Sequence, residues 1–82
     1  MRLLAMRSGH GEVLIAEGDV EVAEEEALLI AAFAAQLAAG MWAAVPSTAD
    51  DGAHQAEMVR RFEDVPRRAE RVIFFPRASG GS

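Results

Sequence analysis

Short apolar segments at the start of the chain predict a β-hairpin. Residues 2–7 form the first segment and residues 12–16 the second. Between them lies Ser8-Gly9-His10-Gly11, whose two glycines can adopt the positive φ angles of a tight turn. The acidic run at positions 24–26 follows, and it places negative charge where a helix N-terminus favours it.

Residues 22–39 predict one long helix, because almost all of them are good helix formers and Gly40 is a natural C-terminal stop. Apolar side chains that recur every three or four positions should form its core-facing stripe. These are Leu29, Ile30, Phe33 and Leu37. Between positions 27 and 39 the only polar residue is Gln36, so the opposite side of the helix is mostly alanine.

Three further strands are predicted after the helix. Residues 41–45 form the first, which Pro46 ends, and residues 57–62 form the second, antiparallel to it. Residues 46–54 read as a loop and residues 65–69 as a turn or a single helical turn. The last strand, 71–75, is apolar at four consecutive positions, which is typical of a strand covered on both faces.

These elements predict a single α+β domain over residues 1–76, followed by a Gly/Ser-rich tail at 77–82. The order β-β-α-β-β-β favours a mixed sheet of four or five strands with the alanine-rich helix on one face, a β-grasp-like arrangement. We expect the helix stripe to face an apolar set contributed by the sheet. That set is Val13, Ile15, Val45, Val59, Val72 and Phe74.

Composition then limits how such a domain is stabilised. Eighty-two residues with 51% apolar content give a small core, which rarely supplies more than about 3–5 kcal/mol. The absence of cysteine excludes disulfides and thiolate metal sites, and leaves association with other chains as a source of stability. The net charge of −5 is uneven, since residues 1–53 carry −7 and residues 54–82 carry +2. That distribution suits contact with complementary protein surfaces. It does not favour nucleic-acid binding, which needs a dense basic patch.

The chain offers little chemistry for catalysis. It contains no nucleophile constellation and no phosphate-binding loop, and the histidines at 10 and 54 fall in predicted loops without a ligand set around them. We therefore expect a protein that is not an enzyme and has no cofactor, no metal and no small-molecule substrate.

Residues 27–49 are 23 positions without charge, which is long enough for a membrane span. Alanine dominates this window, and Gln36, Gly40 and Pro46 interrupt it, so a soluble helix followed by a buried strand explains it better. A small membrane-associated protein remains an alternative. The apolar run after Arg2 is too short for a signal peptide, so secretion by that route is not expected.

Several residues are candidates for contact with a partner. The alanine side of the helix either faces water or packs closely against another chain, and Trp42 is either core or an interface anchor. Two arginines of the predicted turn are either solvated or reach an acidic partner, such as residues 24–26 of another copy. The full candidate set is Trp42, Ala31, Ala35, Ala38, Arg67, Arg68, Phe75, Pro76, Arg77, Gly80 and Gly81.

Motifs spread over residues 40–44, 60–63, 69–72 and 76–81 resemble small uncharacterised proteins encoded by tailed phages and related mobile elements. The shared features are Gly-aromatic-x-Ala after the helix, Arg-x-Phe-(Asp/Glu), an Ala-x-(Glu/Arg)-(Ile/Val) turn, and apolar-Pro-x-x-x-Gly-Gly. The resemblance implies a minor structural, capsid-decoration or assembly protein in a virion or in the cytoplasm of a bacterial host. It brings no catalytic residues with it.

The C-terminal sequence Glu70-Arg71-Val72-Ile73-Phe74-Phe75-Pro76, with Gly80-Gly81, also resembles ubiquitin-like sulfur carriers, in particular the small subunit of molybdopterin synthase. That resemblance implies a carrier whose C-terminal glycine carboxylate is adenylated and becomes a thiocarboxylate. Here Ser82 follows Gly81, so this function would require its removal.

Overall fold

The computed structural model describes residues 1–7, 9–48 and 54–76, without the side chains of residues 47, 48 and 54. Across these ranges the chain forms two strands, a helix, two strands, a short 3₁₀ turn and a last strand, which confirms the predicted α+β class and element order. The bounds are β1 (Arg2–Arg7), β2 (Gly11–Glu17), α1 (Ala23–Ala38), β3 (Met41–Thr48), β4 (His54–Val59), the 3₁₀ turn (Phe62–Asp64) and β5 (Arg71–Pro76).

The described strands form one mixed sheet in the order β2-β1-β5-β3-β4. The central pair, β1 and β5, is parallel, and the other neighbours are antiparallel. α1 packs across one face of this sheet. The chain's last strand therefore lies in the middle of the sheet, between its first strand and its third.

Local chemistry explains the two tightest reversals. In the β1–β2 hairpin Gly9 and Gly11 have φ angles of 79° and 67°, and the His10 N–H donates to the Arg7 carbonyl at 3.0 Å. After α1, Gly40 takes φ 88° and its N–H donates to the Leu37 carbonyl at 3.0 Å, so it ends the helix as predicted.

The core lies between α1 and the sheet. Leu29 is fully buried and Phe33 is 2% exposed, and the Phe33 ring meets Phe74 of β5 edge-on at 5.4 Å. Ile30 is 44% exposed, so its predicted place in the buried stripe is wrong; it lines a cleft beside the 3₁₀ turn instead. The members of the predicted sheet set that join this buried cluster are Val45, Val59, Val72 and Phe74, with Ile15 packed against it and Val13 half-buried.

Two strand boundaries differ from the prediction. β3 continues through Pro46 to Thr48, because its pairing with β5 ends at Ala44 and a residue without an N–H is tolerated where only β4 lies alongside. β4 covers His54–Val59 instead of residues 57–62. Phe62 leaves the sheet for the 3₁₀ turn, where its ring packs edge-on against Phe33 at 5.8 Å.

β5 also differs from the prediction, which was that both of its faces are covered. Val72 and Phe74 are fully buried beneath α1, whereas Ile73 and Phe75, which point the other way, are only half-buried. Since α1 and the 3₁₀ turn lie on the same side of the sheet, no described helix or turn covers the second face.

Candidate protein-interaction surface

The uncovered side of the sheet, called here the open face, is predominantly apolar. Cross-strand partners point to the same side of a sheet, so the pairing identifies its members. Its apolar residues are Leu4, Met6, Leu14, Trp42, Ala44, Pro46, Ala56, Met58, Ile73 and Phe75.

One row of the open face crosses all five strands without a polar residue. Leu4 pairs with Leu14 on one side and Ile73 on the other, Ile73 pairs with Ala44, and Ala44 pairs with Met58. The ends of the row are accessible, with Leu14 52% and Met58 46% exposed, whereas Leu4 and Ala44 within it are buried in the single chain. An apolar row across a sheet is typical of a face that packs against another layer of protein.

A second row brings together two residues that were predicted independently as interface candidates. Trp42 of β3 pairs with Phe75 of β5, and both are half-buried. Met6 of β1 points to the same face one strand further along and is 40% exposed. The result is a large aromatic and thioether surface, the composition enriched at protein interfaces.

Charged side chains also cross the open face, because Arg71 of the central strand lies beside Arg2, whereas its partner Glu12 lies beside Met6, on the other side of Leu4. The Arg2 guanidinium is 4.0 Å from the Glu17 carboxylate, and the Arg71 guanidinium reaches across β1 to within 4.0 Å of Glu12 on β2. All four side chains are more than 40% exposed, so these long ion pairs contribute little to stability. They give this face two positive and two negative charges.

The predicted helix candidates lie on the other side of the molecule. Ala31, Ala35 and Ala38 are exposed on α1, together with Leu28 at 68%. This alanine surface is thus separated from Trp42 and Phe75 by the thickness of the sheet and the helix. The structure does not join the two groups of candidates into one site.

Arg67 contacts acidic residues near the start of α1 in its own chain. Its guanidinium donates to the Glu26 carboxylate and to the Val20 carbonyl, both at 2.8 Å, and lies 3.5 Å from Glu21. The hydrogen bond with Glu26, followed by the negative charge of Glu21, raises the pKa of Arg67 above its usual value. The neighbouring Arg68 is exposed.

Among the tail candidates, Pro76 ends β5 opposite Met41 and is exposed. Arg77, Gly80 and Gly81 lie outside the described residues. Their predicted role in an interface remains a prediction.

A cleft of about 670 Å³ opens between α1 and the 3₁₀ turn. Ile30, Phe33 and Phe62 form its apolar wall. Two of its rim arginines are already paired, Arg67 with Glu26 and Arg61 with Glu63 at 3.2 Å.

Among the described residues no three His, Asp or Glu side chains group as metal ligands. No described helix is long and apolar enough to cross a membrane. Comparisons with sequence families, curated proteins and solved structures found no match.

Sequence reasoning missed most of the open face. Leu4, Met6, Leu14 and Met58 were not among the candidates, although the run of Leu3, Leu4, Ala5 and Met6 lacks the polar alternation of a half-exposed strand. That loss of alternation in β1 and β5 was the available signal. Only the strand order shows that these residues share one face.

Proposed function

We propose that this protein is a non-enzymatic protein-interaction module that docks on a protein partner through the open face. The observation that carries the proposal is a set of apolar side chains that are exposed or half-buried on the side of the sheet that α1 does not cover. They are Met6, Leu14, Trp42, Met58, Ile73 and Phe75. Isolated exposed apolar side chains are ordinary, but a contiguous patch is characteristic of interaction sites.

Five strands about 4.8 Å apart and about 20 Å long give the whole face, charged side chains included, a footprint of roughly 450 Å². Docking needs no rearrangement, because the face is held by the core on its other side. Rigid docking on such a surface is the usual mode for preorganised interfaces.

The motifs at residues 40–44, 60–63, 69–72 and 76–81 support a more specific form of the proposal, a minor structural, capsid-decoration or assembly protein of a bacterial virus. A small module with an apolar docking face suits repeated attachment to a larger particle. The fold class alone supports no function, so this form depends on the motifs.

Site-specific photocrosslinking in the cells that naturally make the protein tests the docking proposal. A photoreactive amino acid replaces Met58 on the open face or, as the matched control, Leu28 on α1; both side chains are exposed in the isolated chain. We expect crosslinks to protein from position 58 and none, or far fewer, from position 28. Crosslinks from position 28 alone, or from neither position, would overturn the proposal.

A second candidate function is supported by the sheet topology. The order β2-β1-β5-β3-β4 with parallel central strands is the β-grasp arrangement, which ubiquitin-like sulfur carriers share. β5 ends at Pro76 in the centre of the sheet, and Gly80 and Gly81 follow four and five positions later in the sequence.

Intact mass spectrometry distinguishes the carrier from the structural module. For a carrier we expect a mature species that ends at Gly81 and gains a thiocarboxylate when incubated with ATP, a sulfur donor and an activating enzyme. A chain that keeps Ser82 in its native cells and is found in repeated copies within a large particle would exclude the carrier function.

A further inference from the structure

We propose that the cleft between α1 and the 3₁₀ turn binds a small amphiphilic carboxylate, a molecule with one carboxylate and an apolar chain, and that Arg60 holds the carboxylate. The inference concerns a different surface from the open face and goes beyond the docking function. The ligand is held and not transformed, so the inference is compatible with a non-enzymatic module. The volume of the cleft, its apolar walls and the charge at its rim support it.

The walls of the cleft are apolar on both sides. Ile30, Ala34 and Leu37 line it from α1, and Phe62 and Val65 line it from the 3₁₀ turn and the residue that follows. Its volume of about 670 Å³ lies within the range of about 300–1,000 Å³ that is typical of small-molecule sites. Ile30 is 44% exposed, so the described residues leave part of this apolar wall open to the chain of a ligand.

The rim carries positive charge, although the whole chain is acidic. Three arginines and two glutamates line the cleft, which gives its side chains a charge of +1, whereas the whole chain carries −5. Arg67 is held by Glu26 at 2.8 Å, and Arg61 by Glu63 at 3.2 Å. The guanidinium of Arg60 has no hydrogen bond or ion pair with another described residue. Its donors are therefore available to a carboxylate, the group whose geometry a guanidinium matches.

Arg60 lies where a carboxylate and an apolar chain can be bound together. It follows β4 directly and is exposed, and it lines both the cleft and a second hollow of about 300 Å³. Leu37 lines both hollows as well, so apolar surface continues beside the guanidinium. A carboxylate bound there stays at the solvated rim while its chain extends over Leu37 towards Ile30. A single unpaired arginine matches a single negative charge, which favours a carboxylate over a phosphate of nearly two charges.

Octanoate is a suitable probe because it joins one carboxylate to an apolar chain, and octan-1-ol is its uncharged counterpart. Each is titrated into the isotopically labelled full-length protein, and the NMR shifts of the backbone amides measure both affinity and location. We expect one octanoate per chain with a dissociation constant of about 1 mM or below. The largest shifts should fall within residues 30–37 and 60–65, which contain most of the cleft lining.

Two pairs of variants test the roles of charge and wall. Arg60→Gln should weaken octanoate binding about fivefold or more and leave octan-1-ol binding unchanged, because only the carboxylate uses the guanidinium. Its matched control is Arg68→Gln, at an exposed arginine outside the cleft lining, which should bind both probes like the wild type. Ile30→Glu should weaken both probes about tenfold or more, whereas Leu28→Glu, on the exposed side of α1, should not.

Three results would overturn the inference. The first is the absence of octanoate binding at millimolar concentration. The second is an octanoate affinity that Arg60→Gln leaves unchanged, or lowers equally for octan-1-ol. The third is a set of shifts centred on Leu14 and Met58 of the open face. Circular dichroism checks that each variant is folded, and if Ile30→Glu is not, Arg60→Gln decides alone. The docking proposal is tested separately by crosslinking from position 58, so the two can fail independently.

Discussion

Replacing Phe33 by leucine tests how α1 is docked on the sheet. The Phe33 ring is 2% exposed and makes edge-on contacts with Phe62 at 5.8 Å and with Phe74 at 5.4 Å. Each such contact is worth about 0.5–1.5 kcal/mol beyond area burial, so losing both should lower the free energy of unfolding by about 2 kcal/mol. For a domain of this size that loss corresponds to a melting temperature lower by about 8–16 °C.

Leucine is preferable to alanine at this position. Phe→Ala in a core costs about 3–5 kcal/mol, which approaches the whole stability of about 4–12 kcal/mol expected for 82 residues. The assay is urea denaturation, followed by circular dichroism and by the fluorescence of Trp42, the single tryptophan. The midpoint should fall without a change in slope.

The control for Phe33→Leu is Leu28→Ala on the same helix. Leu28 is 68% exposed, so its truncation should change the free energy of unfolding by less than about 0.5 kcal/mol. If Phe33→Leu were neutral, or if Leu28→Ala were the more destabilising variant, α1 would present a different side to the sheet and the reasoning would fail.

Two further substitutions, at Arg67 and at Val22, test contacts at the start of α1. Arg67→Met should lower the melting temperature at low ionic strength, and the difference should shrink in high salt, whereas Arg68→Met should change little; equal effects would contradict the role of the Glu26 contact. Because the contacts with Glu26 and Glu21 raise the pKa of Arg67 above its usual value, its stabilising charge is present throughout the neutral range and is lost only as the pH rises through that higher pKa. Val22→Ser should stabilise the protein by about 1 kcal/mol, because Val22 is the N-cap of α1 and its side chain makes no capping hydrogen bond, whereas serine can. An unchanged thermal midpoint would count against the assigned helix start.

Elements that depend on local chemistry were predictable from the sequence. The hairpin follows from Gly9 and Gly11, which take the required positive φ angles, and the helix ends at Gly40 for the same reason. The buried positions Leu29 and Phe33 followed from their spacing. In each case the residues that decide the structure are neighbours along the chain.

Features that depend on distant residues were not predictable. Pro46 lies inside a strand because β5 no longer pairs with β3 at that point, and this depends on where two separate strands meet. Phe62 leaves β4 because Phe33, 29 positions earlier, supplies a better contact than the sheet margin. The predicted burial of Ile30 was wrong for a similar reason, since the rotation of the helix is set by its packing on the whole sheet.

Part of the candidate site was predictable from the sequence. Trp42 and Phe75 were nominated individually, and the strand order brings them side by side. The apolar runs in β1 and β5 indicated cover on both faces, but a sequence cannot show whether the second cover is supplied by the same chain. The described residues supply it on one side only.

Oxidation footprinting of the protein in its native assembly tests most directly whether another protein covers the open face. Met6 and Met58 are 40% and 46% exposed in the isolated chain, so dilute hydrogen peroxide should oxidise both readily in a dilute purified sample. In gently prepared extract of the native cells, peptide mass spectrometry should find both methionines oxidised several-fold more slowly. Equal oxidation rates in the two samples would contradict the account, because the open face would then be exposed to solvent in its native setting.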